Sequence, residues 1–539
     1  MNCGMMRRRL DNVASGFSRT IVVGLLLLAA AAFITADSVE QTSQGSRPAV
    51  TMRASFDGLG VGMTAGAGTN SPAAPRNPSD NSLAVGPNHV VQIVNSQLAV
   101  FTKQGRTLYG PVSTNAIFAG FGGVCESRAN GDAVVRYDQL AGRWLVLMPI
   151  FRRTVFGADR SKAGQPAKRG EAARPGPAAR PGVPPVVPPA PPGQTAPPQP
   201  TDGTYAMCYA VSISADPLGP YFRYAFERPL FPDYPRPAIW PDGYYVPTST
   251  SDDVIQKHAC VVERAKMLNG EPAHEQCVII DGVNFLNNAD IDGRALPPAG
   301  APNVMMAAGG AQLKQILQDD GIDVWKFHVD WNDPAKTKVT GPEKIPVAPY
   351  RYLCGGQLTN CVPQPDTDRR LDAQGDKIMQ RLVYRNVGGH ESIVAVHSVD
   401  TAAGGGGVRW YEFRIDTKRD VHLHQQGTYA PDRFFRWMAS PAIDRRGNIA
   451  IGYSFGGAPN YPGQRISARL AHDPPGVLTF QETVLVEGQA SQTVMRWEDY
   501  TQTAMDPSDD CTIWYVGDYV KQGAATYSTR IGSFRLPGC

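Results

Sequence analysis

The 539-residue sequence has few features of a metal centre, a nucleic-acid-binding protein or a membrane protein. It contains no Cys-x-x-Cys motif and no compact Cys/His pair, which argues against a structural zinc site. Its formal net charge is only +3, so it lacks the basic excess that a nucleic-acid partner requires. Beyond residues 21–34, no apolar run approaches the length of a membrane-spanning helix. We therefore expect no nucleic-acid partner and no transmembrane span in the mature chain.

Residues 1–36 have the pattern of a secretory signal peptide. Three consecutive arginines from Arg7 precede the apolar run, and small residues surround Ala32 and Ala36. As a helix, the run would rise about 21 Å, which is shorter than the ~30 Å apolar core of a bilayer. We expect a secreted or periplasmic protein, with residues 37–76 as a flexible N-terminal segment.

The cysteines that follow the signal peptide predict disulfides. They are eight in number, which is even, and an exported chain meets an oxidising compartment. Pairing of neighbours along the chain predicts four bonds: Cys125–Cys208, Cys260–Cys277, Cys354–Cys361 and Cys511–Cys539.

A two-strand pattern recurs along the chain. Each copy opens near an acidic or polar residue and joins two short apolar strands through a turn rich in Asp, Asn, Gly or Pro. Copies start near residues 80, 132, 235, 290, 376, 437 and 499. A period of roughly 50–60 residues with four strands per unit is typical of a β-propeller. We therefore predict an all-β fold, a seven-bladed β-propeller with four-stranded antiparallel blades over residues 77–539.

One interval between copies is lengthened by a Pro/Ala-rich tract, residues 154–203. Proline has no backbone N–H, so this tract cannot form a helix or a sheet ladder. The tract is predicted to be a disordered insertion within the second blade, although a peptide ligand for a proline-binding partner is an alternative.

Several segments resemble a family of exported bacterial proteins. They include "DNSLAVGPNHVVQIVNS", "YDQLAGRWLV", "FPDYPRPAIWPDGYYV", "VWKFHVDWNDP" and "STRIGSFRLPGC". The resemblance extends from about residue 77 to the last cysteine. It implies export and a propeller-like fold of distantly sialidase-like architecture, and it implies no activity, since the family is largely uncharacterised.

The acids that open the copies are the main candidates for a site. First strands line the central channel of a propeller, so equivalent first-strand residues should form a ring. Carboxylates in such a ring should raise one another's pKa values. The predicted ligand-binding residues at the channel mouth are Asp80, Asp132, Arg236, Asp290, Asp376, Arg436, Trp437, Glu498 and Asp499. They could bind a cation or a polar ligand, or each acid could merely accept backbone hydrogen bonds.

Other motifs point to chemistry less strongly. Ser454 lies in a Gly-x-Ser-x-Gly sequence, but a Gly/Pro loop follows where a nucleophile elbow needs a helix. His422 and His424 share a strand face but have no third ligand nearby in sequence. Asp290 and Asp292 resemble half of a calcium loop, which makes calcium the one cofactor that the sequence suggests.

No complete catalytic constellation emerges. A sialidase-like site would need an arginine cluster and a nucleophile, for which Arg236, Arg436, Arg496 and Glu498 are candidates. The sialidase turn motif Ser-x-Asp-x-Gly-x-Thr-Trp is absent. We therefore predict an exported binding or interaction protein whose partner is a polar or carbohydrate-like ligand or an extracytoplasmic protein. The alternative is a carbohydrate-active hydrolase or lyase.

The prediction for the insertion can be tested by deleting residues 160–200. Shortening a disordered loop changes closure entropy only logarithmically, so the melting temperature should stay nearly constant. Limited proteolysis of the intact chain should cut first within the tract, for example at Arg160 or Arg169. A large loss of thermal stability in the deletion variant would show that the tract packs on the propeller.

Overall fold

A computed structural model describes residues 39–63, 76–151, 205–228, 232–249, 256–281, 283, 285–309, 321–356 and 360–539. Val39–Cys539 form one compact unit. The predicted signal peptide and the Pro/Ala-rich insertion lie outside the described residues. No helix in the described part of the chain has the length and apolarity needed to cross a membrane.

Two early strands, β1 (Glu40–Gln41) and β2 (Met52–Gly60), join sheets formed much later in the sequence. Three four-stranded antiparallel sheets follow along the chain. The first contains β3 (Ser82–Val85), β4 (His89–Val94), β5 (Gln97–Thr102) and β6 (Thr107–Ser113). The second contains β7 (Val134–Asp138), β8 (Arg143–Ile150), β9 (Tyr205–Ser212) and β10 (Tyr221–Arg228). The third contains β11 (Ala238–Trp240), β12 (Gly243–Ser249), β13 (Gln256–Val262) and β14 (Glu275–Asp281).

The next sheet has nine strands. One antiparallel group contains β15 (Asn287–Ile291), β16 (Asn303–Ala308), β17 (Gly321–His328) and β18 (Lys338–Pro346). A small hairpin of β19 (Asn360–Pro363) and β20 (Arg370–Asp372) separates it in sequence from the next group. That group contains β21 (Leu382–Val387), β22 (His390–Asp400), β23 (Gly406–Ile415) and β24 (Val421–Tyr429). The two groups merge because β15 and β21 pair in parallel, and β1 adds to β24.

Two further four-stranded sheets complete the chain. One contains β25 (Phe435–Ile443), β26 (Ile449–Gly457), β27 (Asn460–Arg469) and β28 (Thr483–Val486). The last contains β29 (Gln502–Met505), β30 (Thr512–Tyr519) and β31 (Ser528–Arg535), with β2 as its fourth strand. Two short helices, α1 (Gly123–Ser127) and α2 (Arg264–Asn269), lie between strands.

First strands of successive groups lie beside one another: β29 contacts β3, β3 contacts β7, β11 contacts β15, and β25 contacts both β21 and β29. The Arg136 side chain of β7 reaches the Pro237 carbonyl just before β11. Strands β3, β7, β15 and β29 are buried along their whole length, whereas outer strands such as β14 alternate between buried and exposed residues. A strand covered on both faces needs apolar residues on both, which explains runs such as "SLAV" in β3.

The all-β class and the four-stranded antiparallel sheets are therefore confirmed. The count of seven blades stays a prediction, because one nine-stranded sheet unites two of the groups. The four cysteine pairs are those that the sequence predicts: Cys125–Cys208, Cys260–Cys277, Cys354–Cys361 and Cys511–Cys539. The Cys125–Cys208 bond joins α1 to β9, the strand that follows the insertion.

The N-terminal segment differs from its prediction. Within residues 37–76, the sequence suggests flexibility, yet β2 pairs with β31 from Met52 opposite Phe534 to Gly60 opposite Ser528. Earlier residues follow the outer edges of other sheets, since β1 pairs with β24 and Arg47 bridges to Phe480. The alternating burial of β2 is that of an outer strand, which explains why its apolar signal is weak.

Leu59 tests the role of β2. It is fully buried among Leu83, Val85 and Val90 of the first sheet. Replacement of a buried leucine by alanine costs about 2–5 kcal/mol, so Leu59→Ala should lower the free energy of unfolding by that amount in denaturant titrations. Arg53→Ala, an exposed change on the same strand, is the matched control and should stay within about 0.5 kcal/mol of the parent. If Leu59→Ala and Arg53→Ala were equally stable, the packing of β2 against the first sheet would not contribute to the stability of the fold.

Candidate functional site at the mouth of the ring

Aspartates that precede first strands meet at one place. Asp80 lies two residues before β3, Asp132 two residues before β7, and Asp499 three residues before β29. Asp233, in the approach to β11, and Asp372, at the end of β20, join them. We call these five residues the mouth cluster.

The carboxyl groups of the mouth cluster perturb one another. Burial, followed by the charges of Asp132 and Asp499, raises the pKa of Asp80 well above its usual range. Burial and the charges of Asp233 and Asp499 do the same for the pKa of Asp132. Burial and then the Asp499 charge raise the pKa of Asp372 to about 7. Several of these acids therefore hold protons at a pH where free aspartate is ionised.

The backbone around the cluster is strained. Asp80, Tyr234, Gln374, Glu498 and Asp499 have φ values of 48°, 53°, 47°, 54° and 69°. Non-glycine residues in this left-handed region cost about 1–3 kcal/mol each. Such strain persists only where the surrounding structure enforces it, and it concentrates at functional sites.

One side of the mouth cluster is open to solvent. Asp132 and Asp233 are partly exposed, whereas Asp80 is buried. Arg496 lies at this rim with 42% of its side chain exposed, and its Nε is 2.8 Å from Asp372 Oδ2. Its Nη2 also binds the Asp499 carboxylate. A ligand in solvent can therefore reach the Arg496 guanidinium at the edge of the cluster.

A basic and aromatic patch lies behind the mouth cluster. The Arg236 guanidinium lies 4.4 Å from the Tyr234 ring centre and 4.8 Å from that of Phe285. Lys377 Nζ lies 4.0 Å from the same Phe285 ring centre and 3.4 Å from Asp376. Burial and the nearby cations lower the pKa of Lys257 to about 7. Arg236 lies close enough to Asp233 and Asp376 for their charges to act on it, and Asp376 is itself paired with Lys377.

Glu498 points away from the solvent-exposed rim. Its carboxyl accepts hydrogen bonds from Ser454 Oγ at 2.5 Å, Gln464 Nε2 at 2.9 Å and the Asp518 N–H at 2.6 Å. Burial and the Asp518 charge raise its pKa. Ser454, the residue in the Gly-x-Ser-x-Gly sequence, is buried in β26 beside Trp497 rather than at a strand–helix elbow.

Asp290 and Asp292 lie deeper in the channel, apart from the mouth cluster. Arg381 Nε is 2.6 Å from Asp290 and its Nη2 is 2.5 Å from Asp292, while Arg136 Nε lies 3.3 Å from Asp290. These guanidinium groups already neutralise both carboxylates. The pair that the sequence suggests as a calcium site therefore offers little free charge to a cation.

Arg436 and Trp437 also lie away from the mouth cluster. Arg436 is buried in ion pairs with Asp432 and Glu482 at 2.8 Å and 2.7 Å. Trp437 packs near Trp497 inside the protein. His422 and His424 are exposed on β24, and His422 contacts Asp416. Ligand binding by the predicted residues stays a prediction, with Asp80, Asp132, Asp499 and Arg236 brought close together.

Sequence reasoning missed Asp233 and Asp372. Asp233 lies in "FPDYPRPAIW", only three residues before the selected Arg236. An Asp followed by Pro-containing sequence is typical of a turn, and the repeated pattern begins only at the next residue, Tyr234. Asp372 ends a hairpin inserted between strand groups, so the repeat offered no signal for it.

Comparisons with known proteins give little guidance. No family model and no curated protein matches the chain. Among solved structures, a PL25 ulvan lyase bound to -[GlcA(1-4)Rha3S]- has a TM-score of 0.33 and 10% identity, over 92% of this chain and 94% of that one. A GH43 β-1,3-galactosidase has a TM-score of 0.28 and 7% identity, over 68% and 98%. An endo-1,5-α-L-arabinanase from Thermotoga petrophila has a TM-score of 0.26 and 11% identity, over 85% and 98%. TM-scores this low carry no argument about fold or activity.

The raised pKa values of acids beside the mouth cluster predict that stability falls as the pH rises. Burial raises the pKa of Asp518 to about 7, against about 3.9 for an unfolded aspartate. The folded chain binds this proton more tightly, so the free energy of unfolding should fall as the pH rises from about 4 to about 7. Asp518→Asn keeps an oxygen for Asn81 and carries no charge. It should flatten this slope and stabilise the protein above pH 7, by an amount on the order of 1–4 kcal/mol.

Asp509→Asn is the matched control for the pH series. Burial acts to raise the pKa of Asp509, but hydrogen bonds from Thr512 and Cys511 outweigh it and hold the pKa at about 2. This variant should lose stability at neutral pH, where the carboxylate is favourable. Denaturant titrations across the pH range measure both effects, and an unchanged slope in Asp518→Asn would contradict the assignment.

Proposed function

We propose that this chain is an extracytoplasmic seven-bladed β-propeller that binds a polar, carbohydrate-like ligand at the mouth cluster. The observation that carries the proposal is the gathering of five aspartates from separate sheets and loops at a partly open position. Burying like charges together opposes folding, so a purely structural role does not account for it.

The chemistry of the rim suits a ligand rich in hydroxyl groups. Ionised carboxylates accept hydrogen bonds only, and the guanidinium of Arg496 only donates them. A sugar hydroxyl can do both, so adjacent hydroxyls can bind the Asp499 carboxylate and the exposed part of its partner Arg496 together. Hydrogen bonds to charged groups contribute about 1.5–3 kcal/mol each.

The placement outside the cytoplasm is supported by the four disulfides among the described cysteines. Disulfides persist in oxidising compartments and are rare in the cytosol. The predicted signal peptide supports the same placement. The count of seven blades is supported by the seven four-strand groups of the fold. Five of them form separate sheets, and two share the nine-stranded sheet.

A second candidate, carbohydrate hydrolysis, is favoured by a difference among the carboxyls of the mouth cluster: the pKa of Asp132 is raised, whereas the Asp499 carboxylate is paired with the Arg496 guanidinium. Glycoside hydrolysis uses one protonated carboxyl as general acid and one carboxylate as base or nucleophile. The raised pKa of Asp132 suits the general acid, and the carboxylate of Asp499 suits the base or nucleophile.

A glycan array followed by calorimetric titration of the best-bound oligosaccharide tests the proposal. Asp132→Asn keeps the shape of the side chain but replaces one carboxyl oxygen with an amide NH₂ donor, and its affinity should fall about tenfold, which corresponds to about 1.4 kcal/mol. The matched control is Asp242→Asn, which changes a partly exposed aspartate at the far end of β11. It should bind like the parent. Absence of any glycan binding, or equal affinity of all three proteins, would contradict the proposal.

Hydrolysis is tested separately. The bound oligosaccharide is incubated with the parent protein, and new reducing ends are measured. If reducing ends form with the parent and with Asp242→Asn but not with Asp132→Asn, the result would support hydrolysis. Binding without new reducing ends would support a binding protein.

A further inference from the structure

The Cys260–Cys277 disulfide links two neighbouring strands of the third sheet. Cys260 on β13 lies directly opposite Cys277 on β14. All 7 residues of β13 pair with β14, so backbone hydrogen bonds already hold the two strands together. This disulfide can therefore open and close without loss of the sheet.

The two cysteines differ in their exposure to solvent. Cys260 is 1% exposed, whereas Cys277 is exposed on β14, the outermost described strand of its sheet. Ile279, two residues further along β14, is also exposed. In the Cys125–Cys208 disulfide, by contrast, both cysteines are buried. A thiol in solvent can thus reach Cys277, but it cannot reach Cys260 or the Cys125–Cys208 bond without opening the fold.

A buried guanidinium lies against the inner sulfur. Arg228, the last residue of β10 in the second sheet, donates from Nη1 to Cys260 Sγ at 2.8 Å. The Arg228 side chain is only 1% exposed. A neighbouring cation stabilises a thiolate relative to a thiol. When the disulfide is opened at Cys277, Arg228 is therefore in place to stabilise the thiolate that forms on Cys260.

Glu275 completes the cluster around the disulfide. One of its carboxylate oxygens and the two sulfur atoms all lie within 4.8 Å of one another. Glu275 Oε1 is 2.6 Å from Arg228 Nη2 and accepts a hydrogen bond from the Tyr209 hydroxyl at 3.2 Å. Burial raises the pKa of Glu275, whereas burial and the Arg228 charge lower the pKa of His258 to about 4. Glu275 can therefore take up a proton when a thiolate forms beside it, while His258 stays neutral.

We propose that Cys260 and Cys277 form a thiol–disulfide exchange site, in which the thiolate of an external thiol attacks Cys277 and Cys260 is the leaving group. The external sulfur bonds to Cys277 Sγ, the Cys260–Cys277 bond breaks, and its electron pair leaves on Cys260 Sγ beside Arg228. A second external thiolate then attacks the external sulfur of the mixed disulfide and frees Cys277. Two external thiols are oxidised to one disulfide, and the protein disulfide is reduced to two thiols that take up the two protons.

Both features of the cluster favour this direction of attack. Exchange depends on access to the attacked sulfur and is faster when the leaving thiolate is more stable. Cys277 is the accessible sulfur, and Cys260 is the one with a cation beside it. The site shares no residue with the mouth cluster, so it does not depend on the proposed carbohydrate ligand.

The rate of opening by a thiol tests the site. The full chain in its native state is incubated with reduced glutathione, quenched with acid, denatured and labelled with N-ethylmaleimide. Peptide mass spectrometry then assigns each cysteine. We expect the Cys260–Cys277 bond to open about tenfold faster, or more, than the Cys125–Cys208 bond of the same molecules. Glutathione should be attached to Cys277 and the maleimide to Cys260.

A second reductant identifies the source of the thiol. A reduced Cys-x-x-Cys protein is compared with glutathione at the same thiol concentration. Opening by either one supports the site, and the faster of the two shows whether a protein thiol or a small thiol is preferred.

Arg228→Gln tests the stabilisation of the leaving thiolate. It should slow the opening by glutathione about tenfold, because the Cys260 thiolate loses its cation. Arg228→Lys keeps the positive charge and should open faster than Arg228→Gln. Arg223→Gln is the matched control, since it removes a buried guanidinium from the same strand, where Arg223 contacts the Ala119 carbonyl. It should open at the parent rate.

Three results would each overturn the exchange site. They are opening of Cys260–Cys277 no faster than that of Cys125–Cys208, attachment of glutathione to Cys260 alone, and equal rates for Arg228→Gln and Arg223→Gln. The first two need no variant, so they decide the question even if Arg228→Gln fails to fold. Protein in which only Cys260–Cys277 is open should keep its β-sheet circular dichroism, since β13 and β14 stay paired. Loss of that signal would show a purely structural bond.

Discussion

The pairing of β2 with β31 is the constraint on which the arrangement depends. It completes the last sheet with an N-terminal strand and brings that sheet against the first. Polar contacts then cross the seam: the Asp80 N–H donates to the Glu498 carbonyl at 2.8 Å, and Asn81 Nδ2 donates to Asp518 at 3.2 Å. The mouth cluster spans this seam, because Asp80 comes from one side of it and Asp499 from the other. The contacts that join the last sheet to the first therefore also bring the residues of the mouth cluster together.

The repeat in the sequence predicts much of this arrangement of the mouth cluster. Asp80 and Asp132 each stand two residues before a first strand, so alignment of copies places them together, and the structure does the same. Asp290 breaks the rule because β15 begins at Asn287, three residues earlier. An aspartate inside the strand is carried further along the channel, where it meets Arg381. A shift of a few residues thus moves a carboxylate from the mouth to the channel interior.

Other parts of the site depend on contacts that no local pattern encodes. Asp372 reaches the cluster from a hairpin outside the repeat, and its partner Arg496 lies more than a hundred residues away in sequence. Arg436 opens its copy near the expected position, yet Asp432 and Glu482 hold it elsewhere. The N-terminal strand β2 has a weak alternating pattern, and only its partner β31 at the other end of the chain makes it a strand. Long-range pairing of this kind is invisible to local propensity.

The aspartates of the ring fall into two chemically different sets. Asp290 and Asp292 form ion pairs with the Arg381 guanidinium in the channel, so their charge is balanced within the fold. Asp80, Asp132 and Asp233 instead act on one another as like charges, while the backbone at Asp80 is held in a left-handed conformation. Fold stability alone would favour ion pairs at the mouth as well as in the channel, since unpaired buried charge and backbone strain are both costly. A site that keeps its charge unbalanced retains the capacity to bind something that balances it. The contrast between channel and mouth is the physical observation that supports the site proposed at the mouth.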